Sequence, residues 1–238
     1  INKRTPYDEK GEKVLCLVRA GEIKGAQGKR SDLDEIAALL DEGKTPEQIM
    51  SRNIHFRRFE KIIRDEYFAR LLKKTPPIRD VKVHWLCGAS GTGKSYTFVQ
   101  LCESVGEDNI YFVTNLDNGA FDKYAGQPIL FVDELKEDSI SYAGLLVLLD
   151  RYKRQVSARY SNTYALWNEL YITSVFSPEQ LYQEMVPYHK RPTDTYEQLR
   201  RRITDLTYFY FDCNHQRQQF FTLMDFYNDI ADLRKPLE

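Results

Sequence analysis

Residues 88 to 95 read Gly-Ala-Ser-Gly-Thr-Gly-Lys-Ser, a G-x-x-x-x-G-K-S spacing. That pattern suits the grip of a phosphate chain. Glycines let the backbone turn its N–H groups inward, a lysine brings a point charge to the terminal phosphates, and a serine hydroxyl is a hard ligand for the accompanying metal ion. The expected nucleotide-binding residues are therefore Gly88, Ala89, Ser90, Gly91, Thr92, Gly93, Lys94 and Ser95, with ATP and Mg2+ as the ligands. Cleaving ATP also needs carboxylates across from the loop, and "PILFVDEL" ends an apolar run on Asp133 and Glu134. Asp133 is the expected magnesium partner beside Ser95, and Glu134 the expected general base that takes a proton from the attacking water.

Such a loop works only between a strand and a helix, because the helix N-terminus adds partial positive charge at the phosphates. "VKVHWL" before it and "KSYTFVQLCE" after it fit those elements. Further strand-like runs are "NIYFV", "PILFVDE", "ELYITS" and "DLTYFYFD", with helical segments among them, which predicts an α/β unit with a parallel sheet over residues 81–212. Between Tyr152 and Trp167, "KRQVSARYSNTYAL" alternates around Ser161-Asn162 and predicts an inserted β-hairpin.

Ahead of this unit, "SDLDEIAALLDEG" has helical spacing, "TPEQIMSRN" carries Thr45, Pro46 and Gln48 as a capped helix start, and "FRRFEKIIRDEYFARLL" continues the pattern. These predict a helical unit over residues 31–74 and a proline-containing linker over 75–80. Residues 1–30 are predicted to form a tail and residues 213–238 a helical extension.

Taken in order, "GASGTGKS", "ILFVDEL", "LLVLLDRYKRQVSARYSN", "LYITSVFSPEQLY" and "QLRRRITDLTYFYF" resemble the motifs of superfamily 3 helicases, and in particular the replication initiator (Rep) proteins of rolling-circle plasmids and circular single-stranded DNA viruses. The resemblance implies a P-loop AAA+ type parallel sheet with an inserted hairpin, preceded by a small all-helical oligomerisation domain. It implies a homo-oligomeric ring, usually a hexamer, with ATP between neighbours and single-stranded DNA in the channel, acting as a DNA helicase in rolling-circle replication. Arg159 falls where a channel-facing lysine is usual, with Lys153, Arg154, Tyr160 and Asn162 beside it as DNA-binding candidates. One of the arginines of "LRRRI", Arg201 or Arg202, is implied as an arginine finger in a neighbouring subunit's site. An upstream relaxase-like nuclease domain is implied outside this chain.

The third motif departs from the family's I-T-S-N. Here Thr173, Ser174 and Val175 stand, and Val175 has no side-chain donor. Either Ser174 or Thr173 takes over the sensing of the terminal phosphate, or hydrolysis is slow. Two other readings stay open: a weakly hydrolysing, nucleotide-gated ring that scaffolds replication, and an RNA helicase of an RNA virus.

Composition sets the remaining bounds. A chain of 238 residues that is 42% hydrophobic can bury a substantial core. No run of about 18 apolar residues and no secretory leader is present, so no membrane span is expected. An intracellular place is expected: the cytoplasm for a bacterial plasmid protein, the host nucleus for a eukaryotic virus. The net charge of −1 offers no global pull on nucleic acid, so any polyanion must meet a local basic patch. Cys16, Cys87, Cys102 and Cys213 form no metal or disulfide pattern, and a start at Ile1 is expected of a piece of something longer.

Overall fold

A computed structural model describes residues 31–117, 119–156, 163–211 and 217–220. The first helices are α1 (Ser31–Asp41), α2 (Pro46–Arg52) and α3 (Glu60–Lys74). At the start of α2, Thr45 Oγ1 accepts from Gln48 N and Gln48 Oε1 accepts from Thr45 N, the reciprocal cap that the sequence predicts. Ile36, Leu39, Leu40, Ile49, Met50, Phe56 and Ile63 form a separate buried cluster that holds these helices together. The helix expected to run unbroken from Phe56 instead begins at Glu60. Asn53 Oδ1 accepts from His55 N, and this local side-chain bond starts a 3-10 turn over Ile54–Phe59.

The predicted α/β sheet follows. Its strands are β1 (Lys82–Gly88), β2 (Ile110–Val113), β3 (Ile129–Val132), β6 (Glu169–Ser174), β7 (Asp205–Phe211) and β8 (Arg217–Phe220). They lie in the order β2-β3-β6-β1-β7-β8. The first five are parallel and β8 joins antiparallel. Helices α4 (Tyr96–Val105), α5 (Tyr142–Leu148), α6 (Pro178–Met185) and α7 (Tyr196–Arg200) complete the unit. Along β1, Val83, Trp85 and Cys87 alternate into the main core beside Leu170 and Ile172 of β6. Each large apolar side chain there contributes about 2 kcal/mol of transfer free energy. Burial on this face also pushes the Cys87 thiol up to about 12, which keeps it protonated and inert.

Within residues 213–238, predicted as a helical extension, the described segment is a strand instead. Arg217–Phe220 is a strand against β7, because the outer edge of β7 leaves a row of backbone donors and acceptors that a returning chain can satisfy. Residues 75–80 are pinned rather than loose: Ile78 bridges Tyr152, and Arg79 is 5% exposed. The Arg79 guanidinium donates to the carbonyls of Trp167, Asp150 and Tyr152, which explains how a buried cation is tolerated. The predicted hairpin has a short described base, β4 (Gln155–Val156) paired with β5 (Thr163–Tyr164).

The end of β1 permits only glycine. Gly88 has φ +142, and a Cβ there would sit 2.0 Å from the Phe209 carbonyl oxygen of β7. Gly88→Ala is expected to lower the unfolding free energy by about 3 kcal/mol through forced separation of β1 and β7. An unchanged denaturation midpoint would refute that register.

Candidate functional site

Parallel strands bring their C-terminal ends to one edge of the sheet, where connecting loops meet. Since β6 lies between β1 and β3, its last residues stand between the glycine-rich loop and the Asp133-Glu134 pair. The loop leaves β1 at Gly88 and enters α4 at Tyr96, with Gly91 at φ +80 and Gly93 at φ +101 supplying turns that other residues resist. The backbone N–H groups of Gly93, Lys94 and Ser95 donate to no acceptor among the described residues. They are first-turn donors of the kind that anions satisfy.

Lys94 folds back under this loop. Its Nζ donates to the carbonyls of Gly88 at 2.8 Å and Ala89 at 2.7 Å, and burial lowers its pKa. Ser95 Oγ donates to Asp133 Oδ1 at 2.8 Å, joining residues 38 positions apart. Thr173 Oγ1 donates to the same Asp133 oxygen at 2.6 Å and accepts from Glu134 N at 2.8 Å. Glu134 is exposed and has φ +56, alone with a positive φ among the described non-glycine residues. Left-handed backbone costs such a residue roughly 1–2 kcal/mol and is held only where surroundings fix it. Lys94, Ser95, Glu134 and Thr173 line a cavity of about 460 Å³ together with Ser90, Lys136 and Val175.

Ser174 also lines this cavity, but its hydroxyl is engaged away from the acids. It is 1% exposed, its hydroxyl donates to Leu135 O at 2.7 Å and accepts from Phe176 N, and strand parity turns it to the core side with Leu170 and Ile172. The hydroxyl at the acids is that of Thr173, which the alternation of "ELYITS" identifies once Leu170 and Ile172 are taken as core. Val175 is exposed at the rim of the cavity.

The arginines after α7 divide in the same way. Arg202 points inward, with Nη1 donating to Gln198 O at 2.6 Å and Nη2 lying 3.9 Å from the buried Asp150, and burial lowers its pKa. Of the two finger candidates, Arg202 thus has its guanidinium engaged within the chain. Arg201 is exposed and makes no ion pair among the described residues. Arg200 lies 3.6 Å from Glu197.

At the base of the hairpin, Lys153 is also corrected. Its Nζ donates to the carbonyls of Leu72 at 3.0 Å and Thr75 at 2.8 Å at the end of α3, where the helix leaves carbonyls without intrahelical partners, so its charge is not presented to a nucleic acid. Arg154 is half exposed beside Asp150, at 3.5 Å, and over the Tyr152 ring. Arg159, Tyr160 and Asn162 lie outside the described residues. Asp150, to which the sequence reading gives no role, serves both Arg154 and Arg202.

Among the described residues no cluster of three or more histidine, cysteine or acidic side chains is suited to hold a metal, and no helix is long and apolar enough to cross a membrane. The oxygen pair of Ser95 and Asp133 fits an ion that takes its other ligands from phosphate and water, as Mg2+ does.

Comparison with known proteins places these observations beside relatives. A family model described as RNA helicase matches residues 84–164, which include the loop, both acids and the hairpin. A replication protein of onion yellows phytoplasma (strain OY-M) is 25% identical over 205 residues, 85% of this chain and 47% of that protein. The chain thus spans about half the length of this relative. A solved structure of DnaI aligns over 62% of this chain and 79% of its own, with 17% identity and a TM-score of 0.34.

Proposed function

We propose that this chain is the ATP-hydrolysing motor of a replication-associated helicase, working as a ring on a single nucleic-acid strand. The observation that carries this is the chain of contacts Ser95–Asp133–Thr173–Glu134 facing a glycine-rich loop with free N–H groups. The similarity to a replication protein and to the RNA helicase family model supports placing that chemistry in replication.

In this mechanism the N–H groups of Gly93 to Ser95 and the start of α4 bind the β and γ phosphates, and Lys94 shifts its ammonium from the loop carbonyls onto them. Ser95 and Asp133 would hold the Mg2+ ion. When bound, it neutralises phosphate charge. Glu134 orients a water and takes its proton as the water oxygen bonds to the γ-phosphorus, while the bond to the bridging oxygen breaks and ADP leaves with the electron pair. Arg201 from the neighbouring subunit meets the charge on the transferred group. Arg154 and the hairpin beyond it, with Arg159, Tyr160 and Asn162, bind the strand.

Subunit mixing tests both the site and the ring. Arg201→Ala is expected to lower turnover about 10³-fold with nucleotide binding kept. Adding Lys94→Ala subunits, inactive alone but carrying Arg201, should restore part of the turnover, since mixed rings rebuild complete sites. Absence of rescue, or full activity of Arg201→Ala alone, would sink the shared site. Single-stranded DNA is expected to stimulate hydrolysis. The match to an RNA helicase model gives the second reading, an RNA strand, and displacement assays on DNA and RNA duplexes decide between them.

A further inference from the structure

We propose that Thr173 is a positioning residue that couples the aim of Glu134 to the state of Asp133, so that the terminal phosphate is sensed through the acid pair rather than by a direct side-chain contact. This rests on the reading of the site as one that hydrolyses a nucleotide.

The left-handed backbone of Glu134 needs a partner to hold it, and Thr173 is that partner on both sides. Thr173 Oγ1 accepts the N–H of Glu134 at 2.8 Å, and the Thr173 carbonyl accepts the N–H of Leu135 at 2.8 Å. A threonine hydroxyl has one proton to give. An amide N–H can only donate, so the proton of Thr173 is left for Asp133 Oδ1 at 2.6 Å, and the direction of both bonds is set by chemistry. Any pull on the Asp133 carboxylate, which Ser95 Oγ also contacts, is therefore transmitted through one oxygen to the peptide that aims the Glu134 carboxylate.

Neighbouring groups do not offer the same link. Ser174 has spent its hydroxyl on Leu135 O and Phe176 N, and Val175 has none. The β-branched threonine also restricts χ1, so the hydroxyl keeps its place when one partner moves. Its 1% exposure keeps water from replacing either bond.

The test compares Thr173→Val, which keeps the shape and removes both bonds, with Thr173→Ser, which keeps the hydroxyl. Thr173→Val is expected to lower kcat about 30-fold, the combined effect of two lost bonds, and to raise the Mg2+ concentration at which a fluorescent ATP analogue gains affinity. Its metal-free affinity for that analogue should stay within about twofold, since no phosphate contact is lost. Thr173→Ser should restore kcat to within about threefold of the parent, with the same Mg2+ dependence. If Thr173→Val fails to fold, by its thermal midpoint, Thr173→Ala takes its place with the same expectations.

Parental turnover and Mg2+ dependence in Thr173→Val would overturn the inference. So would a Thr173→Ser protein as impaired as the valine variant, which would make the methyl group and not the hydroxyl the important part. A metal-free affinity that falls with kcat would show direct phosphate contact and also overturn it. Failure of the underlying reading looks different: the parent chain would not bind the analogue, or Lys94→Ala would bind it unchanged. A parent that binds but does not hydrolyse leaves the Mg2+ dependence as the deciding measurement.

Discussion

Lys94→Ala is expected to reduce ATP turnover by about 10³-fold and to remove most nucleotide affinity, because it deletes a charged clamp in a partly dehydrated site. Lys94 is 9% exposed and already held by the Gly88 and Ala89 carbonyls, so its ammonium lies under the loop before any phosphate arrives. The fold should survive. Burial lowers the pKa of Lys94, which means its charge is less favourable in the folded chain than in the unfolded one. A group of this sign costs stability at pH values below its lowered pKa, and the cost disappears as pH rises past the ordinary value of a free lysine. Lys94→Met, which keeps the aliphatic stem and removes the charge, should therefore hold or raise the melting temperature while abolishing turnover. Calorimetry with an ATPase assay on the same samples checks both. Retained nucleotide affinity in a folded Lys94→Met protein would remove the loop from the mechanism.

Glu134→Gln is expected to lower kcat by about 10²- to 10⁴-fold, the range for loss of a positioned general base, with nucleotide affinity largely kept. The substitution preserves side-chain length, and it leaves the N–H that Thr173 accepts in place. Asp133→Asn should behave differently, since it weakens the contact with Ser95 and the Mg2+ dependence together. If the proposed ring forms, Glu134→Gln subunits should also stay loaded with ATP and remain on a nucleic-acid strand. Single-turnover kinetics after rapid mixing separate the slowed chemical step from product release. Turnover near the parental value would mean that another group takes the proton from water.

Much of this site is legible along the chain because short-range backbone geometry makes it. Eight consecutive residues between a strand and a helix specify the loop, and two acids after "ILFV" mark the opposite side. The capped start of α2 at Thr45 and Gln48 is legible for the same reason: donor and acceptor lie three residues apart. Less legible were the destinations of long side chains. Lys153 and Arg202 look like exposed cations in sequence, yet one covers the carbonyls at the end of α3 and the other packs toward Asp150. Nothing within four residues foretells either partner of Lys153, because both lie more than 75 positions away.

Alternation and local spacing were enough to foretell an α/β sheet, a glycine-rich turn between its first strand and helix, and the carboxylates near it, since each depends on residues in one stretch of backbone. Which hydroxyl would meet Asp133 depended on strand order. Only the insertion of β6 between β1 and β3, in a register that turns Ser174 into the core and Thr173 toward the acids, joined positions 95, 133 and 173. Hydrogen bonds act over about 3 Å and not over sequence separation, so that choice was made by tertiary packing.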